Sequence, residues 1–307
     1  MKTLHPQNSS TQNAVRYGFA GHETFVFRYG WLKKGIDAVT EKPNIFLQEN
    51  ALVQLGVGKN MVSSIRYWGL ATQLLEEATG RGMGTSDIGK KLLLEWDPFL
   101  EDIGSLWLIH WLLVNNSTRA AVWHLAFTGL VNPDFSKQEL TDYCLRMADI
   151  NKIRAGENTI SRDVDCFVRT YLAGRNSKGM LEDSFDCPLV ELGLIQFLRE
   201  GERYRFAVSD KPSLPTEVFA YALLEYMSRF RDERQSFSLQ ECVYGQASPG
   251  QVFKLTENAV VDYLERLTEL TKGALVLDET EGLKQVYLQN DVKQMDLLEQ
   301  FYTGNKA

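Results

Sequence analysis

Two polar stretches in the N-terminal third contain the residue types that could do chemistry. The first is Gly21-His22-Glu23-Thr24, which lies in an aromatic-rich segment shortly before Arg28. A histidine, a carboxylate and a hydroxyl beside a guanidinium could hold a metal ion, a water molecule or a phosphate group. The alternative is that His22 and Glu23 satisfy backbone groups at a tight turn. The His-Glu pair alone leaves both interpretations open.

The second stretch runs from Leu55 to Ala71 and predicts two short helices joined by a glycine turn. An apolar helix ends at Gly56 and Gly58, and Asn60 is the predicted N-cap of the next helix. That helix has apolar residues at three-residue steps, which predict one buried stripe: Val62, Ile65, Trp68 and Ala71. The opposite face is predicted to expose hydrogen-bond donors, a cation and an aromatic ring: Ser63, Ser64, Arg66 and Tyr67.

A helix pair of this kind is what a helix-turn-helix needs to enter a major groove. The glycine-rich stretch Ala78–Asp87 follows, where a winged helix would have its wing. The alternative for the helix pair is an ordinary helical hairpin with a solvated polar face. The alternative for the glycine-rich stretch is a plain solvated loop. The candidate DNA contacts are Lys33, Lys34, Lys59, Asn60, Ser63, Ser64, Arg66, Tyr67, Arg81, Lys90 and Lys91.

The charge of the chain is uneven. The 307 residues carry a net charge of −7, which argues against a protein that binds nucleic acid over its whole surface. Residues 1–95 contribute +3, so the remainder carries −10. No apolar run approaches the roughly 18 residues of a membrane span, and the polar N-terminus lacks the apolar core of a signal peptide. We therefore expect a cytoplasmic protein with a local site for a polyanion and no membrane partner.

Other metal-ligating residue types are better explained as structural. The four cysteines form no C-x-x-C pair and have no histidine at metal-ligand spacing, so a buried apolar role is expected: Cys144, Cys166, Cys187 and Cys242. His110 and His124 lie among tryptophans and leucines, as core histidines do. Carboxylate oxygens suitable for Mg²⁺ occur at Asp97, Glu101 and Asp102. Acidic residues in front of an apolar helix usually cap that helix instead.

An internal repeat organises the rest of the chain. Phe135-Ser-Lys-Gln-Glu recurs as Phe237-Ser-Leu-Gln-Glu, and each copy has the spacing of a capping box. Each is followed by a further helix start and by a β-hairpin, the first turning at Gly201 and the second near Gly282. We predict a mainly α fold with small β-hairpins (α+β) built from tandem winged-helix-like units. The predicted boundaries are a flexible tail at 1–15, a DNA-binding domain at 16–130 and further units at 131–212 and 213–307.

Four stretches together resemble a bacterial family of unknown function. They are Phe19–Gly35, Leu55–Ala71, Asp97–Leu113 and Glu182–Ile195, and their most specific segments are Gly-His-Glu-Thr-Phe, Leu-Gly-Val-Gly-Lys-Asn-Met-Val and Asp-Cys-Pro-Leu. Members of that family occur beside cysteine desulfurases and sulfur-activating enzymes in DNA phosphorothioation defence systems. The resemblance covers nearly the whole chain.

The resemblance implies binding of double-stranded DNA and nicking of its backbone so that sulfur can be inserted. It also implies Mg²⁺ as cofactor, with a cysteine desulfurase and the other phosphorothioation enzymes as partners. For such chemistry, which needs a metal held by carboxylates, our candidates are His22 and Glu23 as catalytic residues, Arg28 for the phosphate, and Glu23 and Asp37 for the metal. However, the sequence contains no familiar nuclease signature. The alternatives are a non-catalytic DNA-binding adaptor that docks the modification enzymes and, ranked last, a transcriptional regulator.

Overall fold

The computed structural model describes residues 16–173, 187–230, 234, 236–280 and 282–304. The predicted tail at 1–15 lies outside these residues. The described part is α+β, with many helices and three small antiparallel sheets, which confirms the predicted class at this level. The assignment to tandem winged helices stays a prediction, as does the division into domains.

The first unit consists of three helices followed by a β-hairpin. Its helices are α1 (Tyr29–Glu41), α2 (Ala51–Leu55) and α3 (Lys59–Ala71), and its strands are β1 (Leu75–Glu77) and β2 (Met83–Thr85). α2 ends at Gly56, whose φ of 63° is left-handed, so the predicted glycine stop is confirmed. α3 packs against α1 and α2, and its predicted stripe is buried.

The start of α3 differs from the prediction. Gly58, not Asn60, is its N-cap, and no side chain caps it. Asn60 is the second residue of the helix and is exposed. A β-hairpin occupies the stretch where the wing is predicted. Its strands β1 and β2 are antiparallel, with Glu76 opposite Gly84.

An apolar layer follows the first unit. Helix α4 (Asp87–Lys90) continues into π-helical turns at Lys91–Trp96 and leads to α5 (Ile103–Val114) and α6 (Ala121–Gly129). Nearly every side chain of α5 is buried, which is why that helix has no polar face. Asp102 caps α5 through the Gly104 N–H.

Two units with the same sheet topology follow, and of the described α-helices the first unit has two between its strands and the second has three. The first contains β3 (Asp134–Phe135), α7 (Lys137–Ile150), α8 (Glu157–Tyr171), β4 (Ile195–Leu198) and β5 (Arg203–Phe206). Helix α9 (Thr216–Ser228) links it to the second, which contains β6 (Ser236–Ser238), α10 (Leu239–Tyr244), α11 (Pro249–Phe253), α12 (Glu257–Leu270), β7 (Leu275–Thr280) and β8 (Leu283–Leu288). Helix α13 (Gln294–Gly304) packs on α9.

The sheets of these two units have one strand order. In each, the strand that precedes the helices pairs with the last strand of the hairpin, giving β3-β5-β4 and β6-β8-β7. Both capping boxes are formed, Ser136 with Glu139 and Ser238 with Glu241. The internal repeat predicted from sequence is therefore a repeat of structure.

The described helices include none that is both long and apolar enough to cross a lipid bilayer.

Candidate nucleic-acid interface

The Gly21–Thr24 stretch belongs to a tight loop, residues 20–25, with unusual backbone geometry. Ala20, Gly21, Glu23 and Thr24 all have positive φ values. A side chain at Gly21 would be strained at φ 104°, and its Cβ would lie 2.7 Å from the Tyr67 ring. Left-handed conformations at non-glycine residues cost free energy and persist only where the surroundings hold them. Contacts with the rest of the protein therefore hold the 20–25 loop in this backbone conformation, which its residues would not adopt by themselves.

His22 provides the main contact. Its ring is 2% exposed, and its Nε2 lies 2.9 Å from Oδ1 of Asp163 on α8. Its Nδ1 accepts a hydrogen bond from the Thr24 N–H, so Nε2 is the nitrogen that donates to the carboxylate. Both ring nitrogens are therefore engaged inside the protein. The catalytic role expected for His22 stays a prediction, and in this structure the ring would have to give up one of these bonds to contact a substrate.

The 20–25 loop is bonded to both α3 and α8. From α3, Ser64 Oγ donates to the His22 carbonyl and Trp68 Nε1 donates to the Phe25 carbonyl. From α8, Cys166 Sγ also donates to the Phe25 carbonyl, and Asp163 accepts from the Ala20 N–H. The predicted turn interpretation of His22 is thus confirmed, and the turn joins two helices that are about a hundred residues apart in sequence.

An open cavity of about 560 Å³ lies beside the loop and α3. Its polar lining includes Glu23 from the loop, Ser63 and Arg66 from α3, and Arg119 from the α5–α6 turn. All of its lining residues fall between 18 and 119, so the described part of the acidic C-terminal half contributes nothing to its walls. The cavity brings together four sequence-predicted residues, Glu23, Ser63, Arg66 and Tyr67, and adds Arg119, which sequence reasoning missed.

The charges of the cavity are partly compensated. Glu77 of β1 accepts from Arg119 at 2.7 Å and lies 3.5 Å from Arg66, so one carboxylate faces two guanidinium groups. The Arg66 side chain remains 41% exposed. Glu23 is exposed and has no hydrogen-bond or ion-pair partner within the described ranges. An incoming phosphate would meet Arg66 and Arg119 together and would compete with Glu77 for them.

Two of the predicted DNA contacts on α3 are buried instead. Ser64 has no exposed surface and donates to the His22 carbonyl. Tyr67 is 8% exposed, and its hydroxyl donates to the Arg119 carbonyl. The expectation that these two residues face outward is wrong, because the 20–25 loop and the α5–α6 turn cover that side of the helix. The exposed stripe of α3 consists of Lys59, Asn60, Ser63 and Arg66.

The remaining predicted cations lie away from this cavity or are tied to neighbours. Lys33 pairs with Asp37, and Lys34 donates to the Leu55 carbonyl. Lys90 lies 4.0 Å from Asp87, and Lys91 pairs with Glu95 and Glu299, so these lysines belong to helical turns rather than to the hairpin. Arg81 lies in the β1–β2 turn. The Arg28 guanidinium lies over the Trp31 ring at 5.3 Å.

The two predicted magnesium ligands, Glu23 and Asp37, line different cavities in the described structure. Glu23 lines the cavity beside α3, whereas Asp37 lines a separate cavity of about 470 Å³ and has both oxygens bonded to Lys33. Among the residues with described positions, no group of three histidine, cysteine, aspartate or glutamate side chains is arranged to hold a metal ion. The Asp97 carboxylate accepts from the Glu101 N–H, the Asp102 N–H and the Ser105 hydroxyl, as a capping role requires.

The core histidines and the cysteines are confirmed as structural. His110 is fully buried between the Tyr171 hydroxyl and the Val252 carbonyl, and burial lowers its pKa to about 3. Burial also lowers the pKa of His124, which bonds to the Val114 carbonyl. All four cysteines are buried and free. Burial raises the pKa of the Cys144 and Cys187 thiols to about 12, which makes them unreactive at neutral pH.

The fold thus places the exposed face of α3 beside a cavity lined by Arg66 and Arg119. The chain belongs to the family of proteins of unknown function DUF4007, whose model matches residues 19–302. The resemblance seen in the sequence is therefore confirmed. Among curated proteins, none matches the chain.

Two crystal structures of SspB are similar to this chain over nearly its whole length. A magnesium ion-bound SspB structure has a TM-score of 0.85 and 33% sequence identity, covering 96% of this chain and 90% of that one. A second SspB structure has a TM-score of 0.83 and 32% identity, with the same coverage. The fold described above is therefore shared with SspB.

Proposed function

We propose that this protein is the DNA-binding component of a bacterial DNA phosphorothioation system. The observation that carries the proposal is the cavity beside α3, where Arg66 and Arg119 are accessible next to the exposed stripe Lys59, Asn60 and Ser63. Guanidinium groups bind phosphate oxygens bidentately, and an exposed helix with small polar side chains can approach base edges. Similarity to SspB supports the system to which the protein would belong.

In this proposal the phosphates determine where the duplex lies. Arg66 and Arg119 contact neighbouring phosphates, and Glu77 loses both partners when the duplex arrives. Ser63 and Asn60 then face the groove.

The cysteine desulfurase and the other modification enzymes dock elsewhere. We assign a protein partner to the acidic hairpin of β7 and β8, which contains Asp278 and Glu279, because this hairpin repels phosphate.

Nicking of the bound DNA is a second candidate activity. Glu23 favours it, because an exposed carboxylate on strained backbone lies in the same cavity as two arginines. The similar SspB structure that contains a magnesium ion also favours it. The carboxylates of the described ranges do not by themselves form a magnesium site, so we derive no catalytic step through a metal.

A plasmid assay separates the two activities. Supercoiled plasmid is incubated with the purified protein, with Mg²⁺ or with a chelator, and binding and open-circle formation are followed in the same samples. Retardation of the plasmid is expected in both conditions. Open circles with Mg²⁺ that disappear in Glu23→Gln would establish nicking, whereas binding without open circles would leave an adaptor. Absence of any retardation at low salt would refute the proposed function.

A further inference from the structure

Helix α8 begins with the same residue pattern as α3. Residues 58–63 read Gly-Lys-Asn-Met-Val-Ser and residues 156–161 read Gly-Glu-Asn-Thr-Ile-Ser. In both helices glycine is the N-cap, Val62 or Ile160 is buried, and the asparagine and the final serine are exposed. Two helices of different units thus present the same small polar groups at the same positions.

The exposed side of α8 is also positively charged at its start. Lys152 and Arg154 lie in the α7–α8 turn and Arg162 lies on the second turn of α8, and all three are exposed. None of the three has an ion pair or a hydrogen-bonded side-chain partner among the residues whose positions are described. Glu157 is the one carboxylate between Lys152 and Arg162. Asn158, Ser161 and Arg162 have the i, i+3, i+4 spacing of neighbours on one helix face.

The 20–25 loop fixes α3 and α8 relative to each other. Ser64 of α3 and Asp163 of α8 both bond to His22, at 3.0 and 2.9 Å. Each of these buried residues is preceded by an exposed one, Ser63 in α3 and Arg162 in α8. The 20–25 loop therefore connects the two helices that carry these polar stripes, and Glu23 of that loop is exposed.

We infer that α8 is a second DNA-contacting helix, with Arg162, Arg154 and Lys152 on phosphates and Asn158 and Ser161 facing the bases of the same duplex that α3 contacts. This inference rests on the proposed function. It goes further in assigning a site to the second unit and in making the 20–25 loop the spacer between two contacts.

The test measures the salt dependence of binding to an unmodified duplex for the full chain and for Arg162→Ala, Arg66→Ala and Arg146→Ala. Arg146 is an exposed arginine of α7 over the Tyr143 ring, and its loss removes the same charge elsewhere in the same unit. One phosphate contact contributes about 0.9 to the slope of log Kobs against log salt. We expect that decrease for Arg162→Ala and for Arg66→Ala, and no decrease for Arg146→Ala.

The outcomes distinguish this inference from the proposed function. If Arg66→Ala lowers the slope and Arg162→Ala does not, α8 is not a DNA contact although the proposed function stands. If neither variant lowers it, both are refuted. Titration with a short duplex should saturate at one duplex per chain, and saturation at two would overturn the assignment of both helices to one duplex. Thermal melting of Arg162→Ala should match the parent, because the side chain is exposed and unpartnered.

Discussion

At the scale of single residues, His22 is defined by its partners. Its ring lies in contact distance of three aromatic rings, Tyr67, Trp68 and Trp123, and it donates to a buried carboxylate. A histidine in a Gly-His-Glu-Thr stretch is compatible with a catalytic role. In this structure its ring connects the 20–25 loop to α8. Its partner Asp163 is 141 residues away in sequence, which is why no local pattern could identify it.

Truncation of His22 should destabilise the fold. In His22→Ala the Asp163 carboxylate stays buried and loses its ring donor, so we expect the free energy of unfolding to fall by about 3 kcal/mol. His22→Gln keeps a donor that can reach Asp163 and should lose less. Chemical denaturation of the two variants measures the difference. Equal losses in both variants, or no loss in either, would contradict the role assigned to the ring.

His110 should make stability depend on pH. Its pKa is about 3 in the folded state and about 6.5 when unfolded, so between these values the unfolded chain binds the extra proton. The free energy of unfolding should therefore decrease as the pH falls from about 6.5 toward 3, by about 1.4 kcal/mol per unit. Denaturation at several pH values should show a smaller dependence in His110→Gln, with His124 supplying part of the remainder. An unchanged dependence would contradict this account.

At the scale of elements, residue spacing predicted the features that are set within a single helix, namely its buried stripe and its N-terminal cap. Val62, Ile65 and Trp68 are buried as their three-residue steps require, and the capping boxes at Ser136 and Ser238 form because all their atoms are close in sequence. Ser64 and Tyr67 were misassigned because the surface that covers them comes from the 20–25 loop and from Arg119, 52 residues beyond Tyr67. A helical pattern contains no information about a second covering element.

Glu77 of β1 partly neutralises the two arginines of the cavity. Glu77→Gln removes the carboxylate that faces Arg66 and Arg119 and keeps a side chain of the same size. We expect tighter DNA binding by up to about fivefold, since an exposed ion pair of this kind is worth up to about 1 kcal/mol. Fluorescence anisotropy with a labelled duplex measures the change. Glu76→Gln on the same strand is the matched control, and equal effects in both variants would show that only net charge matters.

At the scale of the whole molecule, the proposed contact with DNA has to be local. The chain carries a net charge of −7, so a duplex is attracted only where cations are concentrated and carboxylates are few. The fold places the acidic hairpin of β7 and β8 in the last unit and the arginine-lined cavity in the first. The uneven charge along the sequence predicted this division, whereas Arg119 joins the cavity only through the tertiary fold.

The salt dependence of duplex binding by Arg66→Ala shows whether DNA binds at the cavity beside α3. The variant removes one guanidinium from the cavity beside α3, and Arg266→Ala on α12 removes an exposed one from the acidic unit as a control. We expect the slope of log Kobs against log salt to fall by about one unit in Arg66→Ala and to stay unchanged in Arg266→Ala. A slope for Arg66→Ala equal to that of the parent protein would show that DNA does not bind at this cavity.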